Sequence, residues 1–256
     1  MITFKDYIQK VRSIREEAES GESSMILHKG NMVHTTNSNG HKIHSNEAGI
    51  KKFHDWFSGS TAVDHQNKPH VFYHGTTSDF KEFKSGTANQ WGSGHYFIKS
   101  AKIASDYATD STTGSHARGM APSGNASPNV IPVYLKMKKP FVMDDPLTGE
   151  TLRKIEKHSG HKLRDHIWRG MKNRDIHQIL HQGILSGGVD AANEVLKKSG
   201  FDSMREKHGD SIHMVFHPQN IKSVHGNSGK YSSKSMDITE ELSCLDKLKT
   251  MLVSHT

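Results

Sequence analysis

Only one cysteine, Cys244, stands in the whole chain of 256 residues, so an internal disulfide and a cysteine-rich zinc site are both excluded. That usage fits a reducing compartment. Hydrophobic residues are also few, 33% of the chain, with a mean hydropathy of −0.69. No apolar run reaches the length needed to span a bilayer, and the first residues lack the apolar block of a secretory signal. Acidic residues are outnumbered, 27 against 34 Lys and Arg, which leaves a net charge of +7 before any of the 20 histidines is protonated. A basic surface of this kind suits nucleic acid or an acidic protein, and it serves plain solubility equally well. The length allows one sizeable core, or a core with an appendage. So little apolar material over that length predicts long polar loops or tails.

Taken in order, residues 1–20 read as an amphipathic leader helix, with Phe4, Tyr7, Ile8, Val11 and Ile14 at three-four spacing and Gly21 placed to end it. Residues 21–47 form a polar lead-in in which 25–27 and 32–34 suit a short hairpin. A helix follows over 48–57, with Ile50, Phe53 and Phe57 on one side and Trp56 as a core residue. After a Ser-, Thr-, Gly- and Ala-rich loop at 109–129, which carries Arg118, a strand runs over 130–137. Pro132 hints at an edge or a bulge, and residues 139–142 continue the strand toward Asp144. Residues 148–198 are mostly helical, at 152–158, 163–171, 175–182 and 189–198. His177 and His181 lie four apart on one of these helices, but no glutamate completes an HExxH pattern and no third ligand is evident, so no metal is expected. Strands at 201–204 and 212–216 lead to a final turn, and residues 233–256 form a tail with a short helix carrying Cys244.

The informative stretch lies between residues 72 and 107. It opens with Phe72-Tyr73-His74-Gly75-Thr76-Thr77 and closes with Gly92-Ser93-Gly94-His95-Tyr96-Phe97, then Ala104-Ser105-Asp106-Tyr107. A strand over 71–73 ends in a polar turn at His74-Gly75. A glycine-loosened loop enters a second strand at 95–98, and a helix spans 100–108. Strand ends bearing a histidine, a glycine and two tyrosines make an aromatic-walled cleft suited to a flat heteroaromatic ring with a carboxamide edge. Singly, each residue reads as readily as packing or a turn.

His74-Gly75-Thr76, Tyr96 and Tyr107, in this order and spacing, resemble the NAD-binding signature of ADP-ribosyltransferases of the diphtheria-toxin and poly(ADP-ribose) polymerase type. The branch found in phage polyvalent proteins is similar over a longer span, roughly 50–232. Its entering tract resembles Phe53-His54-Asp55-Trp56-Phe57, and its closing tract resembles Val215-Phe216-His217-Pro218-Gln219-Asn220-Ile221-Lys222-Ser223. The resemblance implies an α+β fold, a split antiparallel β-sandwich around an NAD cleft, over residues 48–232 with a helical insert at 148–198. It implies that His74 bonds a ribose, that Gly75 takes the carboxamide through its backbone, that Thr76 supports the turn, and that Tyr96 and Tyr107 sandwich the nicotinamide ring.

Two departures accompany the match. The family's glutamate position falls on Ile212, and the small hydroxyl residue that helps hold nicotinamide falls on Ala104. Asp210 is a substitute carboxylate if a bulge shifts the register, and Gln219 and Asn220 are polar candidates on the next turn. The pattern disfavours chain elongation and implies mono-ADP-ribosylation, with NAD as the cofactor and a host protein or nucleic acid as acceptor. Met1-Ile2-Thr3-Phe4-Lys5-Asp6-Tyr7-Ile8 resembles the capsid-targeting peptide of internal head proteins of T-even-type phages, with Ile14-Arg15-Glu16 suiting their prohead protease. That likeness implies packaging in the virion, association with phage DNA there, and delivery to the host cytoplasm. An inactive NAD- or ADP-ribose-binding module and a basic DNA-associated head protein are the alternatives.

Overall fold

The computed structural model describes residues 24–76, 80–83, 91–109, 129–163, 167, 169–207 and 211–241. The leader helix, the loop with Arg118, Asp210 and the tail helix with Cys244 lie outside the described residues, as do 164–166 and 168 of the expected 163–171 helix, whose described residues are turn or irregular. Five helices and nine strands are described. A hairpin of β1 (Met25–His28) and β2 (Asn31–His34) precedes α1 (Glu47–Phe57). Asn46 caps α1 by accepting the Gly49 N–H at 2.8 Å. Ile50, Phe53, Trp56 and Phe57 follow at helical spacing and are buried. Residues before 48 share this core: Ile43 packs into it, and Asn37 donates to the Tyr134 hydroxyl at 2.9 Å.

Two sheets carry the rest. The first has the order β3 (Phe72–Thr76), β5 (Asn129–Leu135), β9 (Ile221–Ser223), all antiparallel. The second runs β4 (His95–Phe97), β8 (His213–Val215), β7 (Ser203–Arg205), β6 (Pro140–Val142), with only β6 and β7 parallel. The sheets meet at one residue pair, where Tyr73 and Ile98 exchange backbone bonds of 2.8 and 3.0 Å. The remaining helices are α2 (Ala101–Thr109), α3 (Gly149–Ser159), α4 (Asn173–Ile179), whose last turn widens into a π-turn at Leu180–Ile184, and α5 (Gly188–Lys198).

Several boundaries differ from the expected ones. The strand expected to stop at Tyr73 runs through Thr76, because β5 pairs with all five residues. Residues 140–142 do not continue β5. Asp202 Oδ2 accepts both the Lys138 and Lys139 N–H groups, at 2.7 and 3.1 Å, and turns the chain into the other sheet. Pro132 is tolerated inside β5 because Tyr73, opposite it, directs its backbone groups to Ile98. Residues 221–223, which lead toward the final turn at 226–229, form a strand on β5. Core packing also passes residue 232: Ile238 is buried, and Glu240 pairs with the fully buried Lys222 at 2.9 Å.

Strand alternation sends the two faces of the second sheet to different cores. Phe97 and Val215 point into a cluster with Phe53, Trp56, Phe72, Tyr134 and Tyr231. Phe141, Met204 and Met214 point into a second cluster beneath α3, α4 and α5, with Tyr96 and Ile212 packed at its margin.

Candidate active site

Gly75 is the only residue type that fits its position in β3. A Cβ there would lie 1.9 Å from the Ala104 carbonyl oxygen and 3.1 Å from Tyr107 Cβ. The strand can therefore touch α2 only because the side chain is missing, and that contact brings residues 75, 104 and 107 together. Ala104 itself is buried, whereas Tyr107 is 48% exposed. Tyr73 spends its N–H and C=O on Ile98. By alternation, the N–H and C=O of Gly75 point to the same edge, away from β5 and past the point where β4 gives way to α2. Among the described residues no backbone bond from Gly75 crosses that edge. An amide donor and a carbonyl acceptor side by side are what a carboxamide needs.

His74 projects to the opposite face, with its ring centroid 5.0 Å from that of Phe83 and 5.6 Å from that of Phe97. Its Nδ1 lies 2.8 Å from the Tyr96 carbonyl oxygen. A carbonyl only accepts, so Nδ1 carries the proton and Nε2 presents a lone pair. Burial pushes the His74 pKa down, against the opposing pull of that carbonyl, so the imidazole is neutral. A neutral ring with a fixed tautomer is a hydrogen-bond acceptor for a sugar hydroxyl. Thr76 closes β3 opposite Asn129.

Tyr96 lies across from Met214, and its hydroxyl donates to the Gly92 carbonyl at 2.5 Å. Burial raises its phenol pKa well above the ordinary range, and Asp190 adds to the effect, so it stays protonated. The loop that presents Tyr96 is held from the helical region. Asn193 Nδ2 donates to the Trp91 carbonyl at 2.5 Å, and Asp190 Oδ1 accepts the Ser93 N–H at 2.6 Å. Gly92, at φ +83°, sits so close that an added Cβ would meet Asn193 Nδ2 at 2.5 Å. Sequence reasoning left Asp190 and Asn193 out of the site. The Gly-Ser-Gly tract was the available sign that something packs tightly there, but not what.

Ile212 precedes β8, and by alternation it faces the same way as Met214 and Tyr96. It is half-buried against the second cluster, so the register puts an apolar side chain beside Tyr96. Gln219 is not brought to this group. Its backbone carbonyl takes the Trp56 indole N–H at 3.2 Å, and its buried Oε1 has no partner. Asn220 ends the same 3₁₀ turn, Pro218–Asn220, its carbonyl accepting the Lys136 N–H at 2.8 Å. His177 and His181 lie with ring centroids 5.2 Å apart, and His177 Nε2 meets Asn193 Oδ1 at 3.1 Å. Among the described residues no group of three metal-ligating side chains occurs, and no helix is long and apolar enough to cross a membrane.

An antiparallel sheet and a mixed sheet joined beside a glycine strand, with one tyrosine on the neighbouring strand and another on the following helix, are consistent with a domain of the ADP-ribosyltransferase class. The family model for the ADP-ribosyltransferase of polyvalent proteins matches residues 64–231, and the chain belongs to that family. No curated protein and no solved structure matches the chain. ADP-ribosyl transfer is the activity of such domains, with NAD as the substrate.

Proposed function

We propose that this chain transfers a single ADP-ribosyl unit from NAD to a host macromolecule. The observation that carries the reading is the junction of β3, β4 and α2. There Gly75 lies against Ala104 and Tyr107 of α2, its N–H and C=O turned to an open edge, and the backbone carbonyl of Tyr96 holds the His74 imidazole. In the transfer the bond between the ribose C1′ and nicotinamide breaks, and the ring departs with the electron pair. The resulting oxocarbenium-like cation is captured by an acceptor nucleophile, whose proton passes to solvent. Gly75 grips the carboxamide through its N–H and C=O, His74 Nε2 accepts from a ribose hydroxyl, and Tyr96 and Tyr107 enclose the ring. These contacts orient NAD and exclude water. Ile212 offers no charge to the cation, so no protein carboxylate at that position prepares a second sugar hydroxyl for attack. That difference favours single transfer over chain growth.

Incubating the full chain with labelled NAD and host lysate should label a discrete macromolecule, release nicotinamide, and add one ADP-ribosyl mass per site. His74→Ala should lower the rate about tenfold, the equivalent of one good hydrogen bond. An unlabelled lysate, a variant equal to wild type, or a ladder of added units would each overturn the proposal. Ile212 also supports a second reading, an inactive binding module. Calorimetric NAD binding without nicotinamide release would select it. The resemblance of residues 1–8 to a head-targeting peptide supports the further proposal that the protein travels in the phage head with the DNA and acts in the host cytoplasm.

A further inference from the structure

At the far end of β5 from Gly75, a hollow of about 420 Å³ opens between α1, the chain after β5, and residues 230–234. Lys52, Lys136, Lys230 and Lys234 line it, and Ser232 and Ser233 add hydroxyls. Asp55 is the only carboxylate in the lining among the described residues, and its Oδ1 already receives Lys29 Nζ at 2.6 Å and His28 Nε2 at 2.7 Å. The floor is rigid. Trp56 and Tyr231 are buried, their rings stacked at 6.3 Å and 29°. Lys136 is half-buried. Burial lowers its pKa, and the neighbouring Lys138 pushes it the same way, outweighing Asp202. An ammonium placed like this gains from an incoming anion.

We propose that this groove holds the phosphodiester backbone of a nucleic acid. The lining supplies compact positive charges and hydroxyls, but no exposed aromatic platform for stacking and no apolar anchor of the kind a protein partner inserts. The contact is therefore charge-led and independent of base sequence. Since β5 spans seven residues, the groove lies roughly 20 Å from Gly75. It is independent of the NAD reading, and either can fail alone.

The test is fluorescence anisotropy of a labelled duplex of arbitrary sequence, titrated with the full chain at 50 and 200 mM salt. Engagement of about four phosphates predicts a slope of log K against log salt near −3.6, so affinity should fall about a hundredfold across that range. Lys52→Gln with Lys234→Gln, both exposed positions, should flatten the slope by about 1.8. Adding Lys136→Gln should flatten it by a further 0.9 or so. Lys157→Gln with Lys162→Gln, an exposed pair elsewhere, removes equal charge and should leave the slope unchanged. The proposal is overturned by a salt-independent or absent interaction, or by a control pair that acts as strongly as the groove pair. Displacement of the duplex by polyglutamate at equal charge concentration would overturn the assignment to phosphate.

Discussion

The two cores of this protein are built from different materials. The one behind the three-stranded sheet is aromatic: Phe53 alone touches Trp56, Phe57, Tyr134 and Tyr231, with ring centroids 4.7–5.8 Å apart. The one beneath α3, α4 and α5 relies on Ile155, Leu163, Ile176, Leu180 and Leu196 with Met143, Met204 and Met214. Flat rings in edge-to-face contact fix relative orientation, whereas aliphatic and thioether chains adapt. The candidate site lies on the seam between them. His74 and Phe97 face the aromatic core, while Tyr96, one residue from Phe97, faces the adaptable one. The division places a stiff support behind β3 and a more compliant one behind the loop that presents Tyr96.

The largest expected effect tests that contrast directly. Phe53→Ala should cost about 4 kcal/mol, from lost burial and a cavity that four rings cannot close. Met214→Leu, equally buried, should cost less than about 1.5 kcal/mol because its neighbours can refill the space. Urea midpoints of the two variants measure the difference, and comparable losses would erase the distinction.

Acid should separate the regions next. On the aromatic side, burial pulls His95 down to about 4 and His213 down to about 3, with rings against Phe83 at 5.5 Å and Phe72 at 4.7 Å. His34, His54, His70 and His74 are lowered too. In the helical core His177 falls to about 4, and His181 beside it is also lowered. A histidine with a lowered folded pKa contributes its full stability above the unfolded value of about 6.5. That contribution is lost as the pH falls, because the unfolded chain takes up the proton first. Between pH 7 and pH 5, His95, His213 and His177 should each withdraw about 1.5 kcal/mol. Hydrogen exchange at the two pH values should therefore show β4 and β8 losing more protection than α4 and α5. Uniform loss would contradict the division.

How much of this was legible beforehand depends on the range of the interaction. The amphipathic pattern of α1 gave its position to within one residue, since Ile50, Phe53 and Phe57 act locally, although the Asn46 cap was not anticipated. The family was legible through the order and spacing of residues 74–76, 96 and 107. The reason Gly75 must be glycine was not, because it is a collision with a carbonyl 29 positions away. The jump of residues 140–142 into the second sheet depends on Asp202, whose effect has no local signature. The place of Gln219 against Trp56 follows from sheet-to-sheet packing that no periodicity encodes.

The smallest expected effect addresses the seam. Tyr96→Phe keeps the ring that would lie against nicotinamide but removes the hydroxyl that ties the strand to the Gly92 carbonyl. One neutral hydrogen bond is worth about 1 kcal/mol, so thermal unfolding should shift down by roughly 2–4 °C in a domain of this size. Because Asp190 and Asn193 still hold residues 91 and 93, the loosening should stay in the 91–96 loop and leave amide protection in β3 unchanged. If the ring rather than the hydroxyl contacts substrate, KM for NAD should change less than twofold. A large rise in KM with an unchanged midpoint would instead place the hydroxyl in the substrate contact, and the compliant side of the seam would then be part of recognition rather than support.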